Sequence, residues 1–391
     1  MGRTAKGGMV VTQENSMNKR NVINSLRELG AELERGTEDF SEFGDVSVKV
    51  DGDLVLFSYT PPCNFKPPSE WNWLERTSRG LIMNRRNGEV VALPFPKFFN
   101  WGQGGLPGIE DYTILEVAQK YDGSLGILYR KDGALHIATR GSFDSDQAKW
   151  ATERIQRDCP QLEHLPDSIT LLFEIIYPEN RVIVDYQGYE GLRIIGIRDR
   201  KTEIDYLVGA QHTRHEFERF VGGPIVWGEI LSMPVDPIEY WIGMANLLSA
   251  ENDEGFVVRL SNGDRYKIKG IDYLTVHKIL SRASYKAVVE GLQAGNYDTM
   301  RAVVFDSLAV ELDEWHTVAV EAIAHANQQV EEQGVSLSVV KREDREARKE
   351  VAQKITSSNL PKLLQACLFR KLDGQDYQDL IYKHVLEIRN V

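Results

Sequence analysis

Apolar and polar positions alternate along this chain in paired short segments, each pair split by a turn dipeptide. Val46–Val50 and Leu54–Tyr59 flank Asp51-Gly52, and Gly80–Asn84 and Glu89–Leu93 flank Asn87-Gly88. Leu125–Arg130 and Leu135–Thr139 flank Asp132-Gly133, and Gly255–Leu260 and Arg265–Lys269 flank Asn262-Gly263. A period of two broken at Asp-Gly or Asn-Gly predicts β-hairpins, because these dipeptides tolerate the positive φ a tight turn needs. Further strands are expected at Tyr112–Ala118, Thr170–Tyr177, Arg181–Tyr186 and Leu192–Arg198, all rich in Ile, Val, Leu and Tyr. Helical spacing marks Asn21–Gly36, Ser145–Arg157, Thr213–Val221 and Asp236–Ala250. After about Asp272 the alternation gives way to longer helical segments: Asp272–Ser281, Tyr285–Ala294, Tyr297–Asn327 and Leu360–Asn390. The pattern predicts an α+β chain, with an antiparallel-sheet domain over residues 21–272 and an all-helical C-terminal domain over residues 273–391. Residues 1–20 are polar and Gly-rich and are expected to form a flexible tail, with Met17 a candidate start.

Composition narrows the class. A length of 391 residues suits two domains, and 42% hydrophobic with 27% charged residues is the balance of a globular protein. No apolar run approaches the roughly 20 residues needed to span a bilayer. The N-terminal stretch lacks the apolar core of a signal peptide, so a cytoplasmic, monomeric protein without membrane contact is expected. Three scattered cysteines, Cys63, Cys159 and Cys367, argue against a disulfide framework or a zinc site. A net charge of −12 excludes coating of nucleic acid by bulk charge, so any such contact must be a local basic groove.

Candidate chemistry centres on Lys120-Tyr121-Asp122-Gly123-Ser124. A lysine after a strand, two residues before Asp-Gly, puts a primary amine at the mouth of a sheet, where it could attack phosphorus and carry a nucleotide. Alone, the string reads more readily as a solvated turn lysine, like Lys131 before Asp132-Gly133. Other segments change the picture. Nucleotidyl transfer to lysine needs a deprotonated amine, although the free value is about 10.4. It also needs cations for the phosphates and carboxylates for a metal. Lys267 and Lys269 alternate on one strand and share a face. Glu174 is a lone carboxylate in the apolar run Leu171–Tyr177, and Glu254 precedes Gly255 and Phe256-Val257-Val258. Arg79 precedes Gly80, and Lys97 precedes Phe98-Phe99-Asn100. Each has an ordinary explanation, such as an edge-strand face for the lysines or a Glu174–Arg181 ion pair. One active site explains them together.

Lys120–Ser124, Phe173–Tyr177, Glu254–Arg259 and Lys267–Lys269 resemble motifs I, III, IV and V of the covalent nucleotidyltransferase superfamily of ligases and capping enzymes. Thr77–Met83, Lys97–Asn100, Thr139–Ser142 and Pro178–Tyr186 resemble markers of its ATP-dependent RNA ligases of the bacteriophage tRNA-repair type. The resemblance runs from about Tyr59 to Tyr273 and implies an adenylation domain followed by a helical domain. It implies that Lys120 becomes linked to AMP, in a turn shaped by Asp122 and Gly123. Glu174 and Glu254 would bind the ribose and the waters of Mg²⁺ or Mn²⁺, and Lys267 and Lys269 the α-phosphate. Arg79 and Lys97, with Tyr59 close by, would hold the β- and γ-phosphates, supported by Phe99. Arg140 and Tyr273 would lie near the nucleotide. The implied substrates are ATP and RNA bearing 5′-phosphate and 3′-hydroxyl ends, such as cleaved tRNA, in a phage- or bacterium-encoded enzyme. A DNA ligase is disfavoured because the tail is helical rather than a β-rich OB domain. A non-catalytic RNA-end-binding module is disfavoured because the set of charged motif residues is complete. The helical domain is read either as an RNA-recognition domain, with Lys341, Arg342, Arg345, Arg348 and Lys349 as phosphate contacts, or as a buttress.

Overall fold

The computed structural model describes residues 22–103, 112–232, 236–304, 309–334 and 344–388. The expected tail over residues 1–20, with Lys341 and Arg342, lies outside these described residues. The chain divides into two compact units, the first comprising Met1–Val182, Tyr186–Trp241 and Gly255–Ile268. The second comprises Ile183–Asp185, Ile242–Glu254 and Lys269–Val391. Among the described residues no helix is long and apolar enough to cross a membrane.

In the first unit, β1 (Val46–Asp51), β2 (Leu54–Tyr59), β3 (Arg79–Asn84) and β4 (Val90–Ala92) form an antiparallel sheet in sequence order. All six residues of β2 are buried, which accounts for its continuous Leu-Val-Leu-Phe run. One face packs on α1 (Leu26–Glu34) and α2 (Trp73–Thr77) through Leu29, Leu33, Phe57 and Leu74. The other packs Leu56 and Ile82 on Ile127 and Leu172 of a second sheet.

The remaining strands are β5 (Phe99–Asn100), β6 (Ile114–Lys120), β7 (Ser124–Lys131), β8 (Ala134–Ala138), β9 (Ile169–Ile176), β10 (Gly191–Asp199), β11 (Ile225–Trp227), β12 (Ile230–Ser232), β13 (Gly255–Leu260) and β14 (Arg265–Lys269). They make two five-stranded sheets, in the orders β11-β10-β9-β7-β8 and β12-β6-β13-β14-β5. α3 (Asp146–Asp158) and α4 (Gln211–Phe217) cover the second sheet with Ala151, Ile155 and Phe217. The sheets are antiparallel, as the hairpin pattern predicts, except at two short ladders. β10 pairs parallel with β11, and β14 pairs parallel with β5. The β10–β11 connection is long enough to contain α4, the kind of crossover a parallel pair requires.

One expected strand is absent. Arg181–Tyr186 follows a tight helical turn at Pro178–Asn180 and joins no ladder, and its apolarity reflects the burial of Ile183 and Val184. α5 (Ile238–Ala245) falls within the expected helix over Asp236–Ala250.

The helices of the second unit are α6 (Ile271–Arg282), α7 (Tyr285–Ala294), α8 (Tyr297–Ala302), α9 (Val310–Gly334), α10 (Arg345–Ser357), α11 (Lys362–Leu372) and α12 (Gln378–Ile388). The Ser284 side chain caps the start of α7, and Gly295 ends it at φ +66°. Two long expected helices are each divided. Over Tyr297–Asn327 there are α8 and α9, tied together by Arg301 Nε and Asp313 Oδ1 at 2.7 Å. Leu360–Asn390 breaks at Gly374, whose φ of +69° no helix interior allows. Val288, Val289, Leu312 and Val385 form one apolar cluster, and Val330, Ile355, Leu364 and Ile381 another.

Candidate active site

Lys120 ends β6 with its backbone in register opposite Gly255 of β13. Asp132-Gly133, at φ +50° and +83°, closes the β7–β8 hairpin. Asp122-Gly123 does something different: the chain leaves the third sheet at Lys120 and enters the second at Ser124. Four hydrogen bonds fix this crossing. The Asp122 amide donates to Tyr186 Oη at 2.8 Å, and the Gly123 amide donates to Glu174 Oε1 at 3.1 Å. The Glu229 amide donates to Tyr121 Oη at 2.9 Å, and Lys120 Nζ donates to the Tyr121 carbonyl at 3.4 Å. A Cβ at Gly123 would lie 2.5 Å from the Ile175 carbonyl oxygen, so the close approach of β9 requires glycine there.

The crossing forms one side of a cavity of about 460 Å³ between the second and third sheets. Glu116, Ala118, Gln119 and Lys120 line it from β6. Val257, Arg259 and Lys267 line it from β13 and β14, and Leu125, Glu174 and Ile194 from the second sheet. β14 lies between β13 and β5, so Lys267 is not on an edge strand. Six cationic side chains and three carboxylates line the cavity, a local positive balance on a chain of net charge −12. Burial pushes the Glu116 carboxyl above its ordinary value, against the Gly209 amide that donates to it at 2.7 Å and against Arg265 and Arg259.

Arg79 and Arg140, which also line this cavity, gather with Tyr59 and Lys97. The Arg140 guanidinium stands 4.5 Å from the centre of the Tyr59 ring, and Lys97 Nζ stands 5.0 Å from it and 3.4 Å from the hydroxyl. Burial pushes the Tyr59 hydroxyl up, but Lys97, Arg140 and Arg79 together outweigh it and the net direction is down. Burial lowers the Arg79 guanidinium, with Tyr59 and Glu174 opposing. Arg79 Nη1 is buried and has no hydrogen-bond partner among the described residues. Lys97 is caged by rings, its amine lying 5.1 Å from the Trp71 ring and 5.8 Å from Phe99. Phe98 carries Arg79 at 5.4 Å and Lys267 at 4.8 Å.

Behind the cage, Asp45, Cys63 and Glu75 bring ligand-type atoms within 4.8 Å of one another. The Lys66 ammonium already bridges the two carboxylates, at 2.6 Å from Asp45 and 2.5 Å from Glu75. Glu75 also completes the capping box that starts α2. Sequence spacing missed Trp71, Phe98 and this lysine-bridged cluster; two tryptophans flanking Asn72 just before Thr77–Met83 were the available signal for the cage.

Glu254, Lys269 and Tyr273 fall in the second unit and form their own cluster. Lys269 Nζ is 2.8 Å from Glu254 Oε1 and 4.9 Å from the centre of the Tyr273 ring. The Gly270 amide donates to the Glu254 carbonyl at 3.1 Å. Glu254 and Tyr273 are both buried. On α10, Arg345 and Lys349 are exposed, whereas Arg348 pairs with Asp373.

Comparison with known proteins points to one family. A family profile described as RNA ligase matches residues 77–274. An RNA ligase of Rhodothermus phage RM378 is 25% identical over 290 residues, 63% of this chain and 64% of the relative. RNA ligase 1 of bacteriophage TS2126 is 31% identical over 169 residues, 39% of this chain and 41% of the relative. The chain thus spans less than two thirds of the length of either relative. A solved Naegleria gruberi RNA ligase mutant with ATP and Mn aligns with 48% of this chain and 60% of its own, at 21% identity and a TM-score of 0.38.

Proposed function

From the premise that this chain belongs to the RNA ligase family, we propose that it is an ATP-dependent enzyme that joins a 5′-phosphate to a 3′-hydroxyl RNA end through lysyl-AMP. The observation that carries the proposal is the placement of Lys120 on the wall of a cation-rich cavity that also holds Arg79, Glu174 and Lys267.

Lys120 Nζ attacks the α-phosphorus of ATP. A P–N bond forms, the bond to pyrophosphate breaks, and the amine gives up a proton. A 5′-phosphate oxygen of RNA then attacks the same phosphorus, and the P–N bond breaks to return the amine. Finally the 3′-hydroxyl attacks the RNA phosphorus, AMP leaves, and the strand is sealed. Each displacement is in line, so the chain contributes chiefly positioning and charge. Lys267 holds the α-phosphate from the cavity wall, and Lys269 takes its α-phosphate role from the motif resemblance. Arg79, with its unpartnered buried N–H, holds the β- and γ-phosphates together with Lys97 and Arg140, while Tyr59 orders the three cations.

Among the described residues the lining of the cavity includes carboxylates but no cysteine or histidine, a donor set that fits a hard cation such as Mg²⁺ or Mn²⁺. Such an ion supplies neutralisation of phosphate charge. Glu174 would hold it, and Glu254 and Tyr273 take their nucleotide and metal roles from the motif resemblance. In this assignment residues 21–272 are the adenylation domain and residues 273–391 the helical domain, whose exposed Arg345 and Lys349 suit phosphate contact with a folded RNA such as a cleaved tRNA.

Incubation with α-labelled ATP and Mg²⁺ tests the reading. Label is expected on the wild-type chain and none on Lys120→Ala. Matched 5′-phosphorylated substrates should then be sealed as RNA in preference to nicked DNA. Absence of label on the wild type, or a preference for nicked DNA, would overturn the assignment.

A further inference from the structure

We propose that a second cavity, adjoining the first at Phe98, is a stacking site for an unpaired nucleobase at an RNA end. The proposal rests on the RNA ligase reading and adds to it the place where the strand, rather than the nucleotide cofactor, is gripped.

The cavity measures about 330 Å³, at the small end of the range for ligand sites. It shares Phe95, Phe98 and Arg265 with the first cavity, so the two cavities have a wall in common. Its walls are unusually aromatic: Trp71, Trp73, Phe99 and Tyr266 join the two shared phenylalanines. Cations stand among the rings, Lys97 and Arg76 in addition to Arg265, against one acid, Asp264. Arg76 and Asp264 approach only to 4.0 Å, with both side chains about two-fifths exposed. Aromatic faces interleaved with cations are the chemistry of single-stranded nucleic-acid binding, in which bases stack and the backbone is neutralised.

Trp71 is only 6% exposed, so its ring is a fixed part of the cavity wall. A nucleobase is flat and stacks on aromatic walls of this kind. An open RNA end offers such a base, whereas a base within a duplex is already stacked and paired.

The test uses Trp73→Ala, Arg76→Ala and Trp73→Phe in the full chain, none of them in the adenylylating machinery. Label transfer from ATP to Lys120 is measured first. Sealing of pre-adenylylated RNA to an acceptor strand is measured second, with donor and acceptor concentrations varied separately and with an abasic terminal nucleotide in each strand in turn. The two alanine variants are expected to accept label like the wild type and to raise the KM for one strand by about tenfold or more. Trp73→Phe should recover most of that loss. The abasic substitution in the same strand should weaken the wild type similarly and cost Trp73→Ala little further, since one contact cannot be lost twice. Whichever strand responds identifies the end that is gripped.

If the variants impair labelling while pre-adenylylated RNA is sealed normally, the cavity serves the triphosphate and the proposal fails. Unchanged KM for both strands, with no effect of abasic ends, also overturns it. Should Trp73→Ala not fold, Arg76→Ala and the abasic substrates with wild type decide the question. A wild type that takes no label would instead overturn the ligase reading, so the two failures are distinguishable.

Discussion

The two units hold their charges differently. In the sheet unit, the ion pairs of Arg259 and Arg265 with Asp205 are buried, and both arginines line the cavity. Arg265 Nη2 meets Asp205 Oδ1 at 3.0 Å with the side chains 9% and 16% exposed, and Arg259 donates to the Asp205 and Tyr206 carbonyls at 2.6 and 2.9 Å. In the helical unit, the Lys269–Glu254 pair is buried, whereas the Lys354–Glu350 pair, one turn apart on α10, has its side chains 72% and 69% exposed. A buried pair in which one partner is removed leaves an uncompensated charge, whereas an exposed pair is screened and weak. The cavity wall of the sheet unit therefore depends on the charges around Asp205, whereas α10 of the helical unit, with Val351 and Ile355 in an apolar cluster, owes little to its exposed pair.

Four variants or conditions sharpen that contrast. Asp205→Asn should cost about 3–5 kcal/mol, read as a fall in the thermal midpoint, because two buried guanidinium groups lose their carboxylate. A cost under about 1 kcal/mol would mean that these walls are not held by charge. Gly123→Ala should cost about 1–3 kcal/mol through the clash with Ile175, and should slow labelling because it displaces the strap that carries Lys120. Normal labelling at normal stability would remove the crossing from the argument.

The third concerns pH. Burial pushes Cys63 and Cys159 in the sheet unit, and Cys367 in the helical unit, up from 9.0 to about 11. An acid whose folded pKa is raised supports the fold below its unfolded value and loses that support as pH rises toward the folded one. Both units should thus lose stability between about pH 9 and 11, and native thiols should resist alkylation at pH 8 until denaturant is added. Rapid alkylation of the native chain would contradict the burial. Last, Lys354→Ala should shift stability by no more than about 0.5 kcal/mol. A larger loss would mean that the helical unit also depends on its surface charges.

Much of this was legible in the sequence. The hairpins appeared where two alternating runs flank Asp51-Gly52, Asn87-Gly88, Asp132-Gly133 and Asn262-Gly263, because the dipeptide and the pleat are both local. Lys120, Glu174 and Lys267 were recognisable as one constellation, and the structure brings them to one cavity. What stayed hidden was which strand each strand would choose. Asp122-Gly123 and Asp132-Gly133 look alike as strings, yet one closes a hairpin and the other leads from sheet to sheet. Arg181–Tyr186 was apolar enough for a strand but is buried without a ladder, since hydrophobicity reports burial and not pairing. The Trp71 cage and the Lys66 bridge were hidden for a related reason: both are assembled from segments on different elements, with no repeating spacing to announce them.

The sheet-to-sheet passage at Tyr121–Gly123 has a mechanical meaning. A reactive amine on a loop reaches its target through the loop's own freedom. Here the amine ends one rigid ladder, and the next ladder begins four residues later, so both flanks are clamped. Its reach is set by the gap between two stiff plates. Anything that widens or narrows that gap, whether an occupant or a substitution deep in either sheet, moves the attacking nitrogen with it.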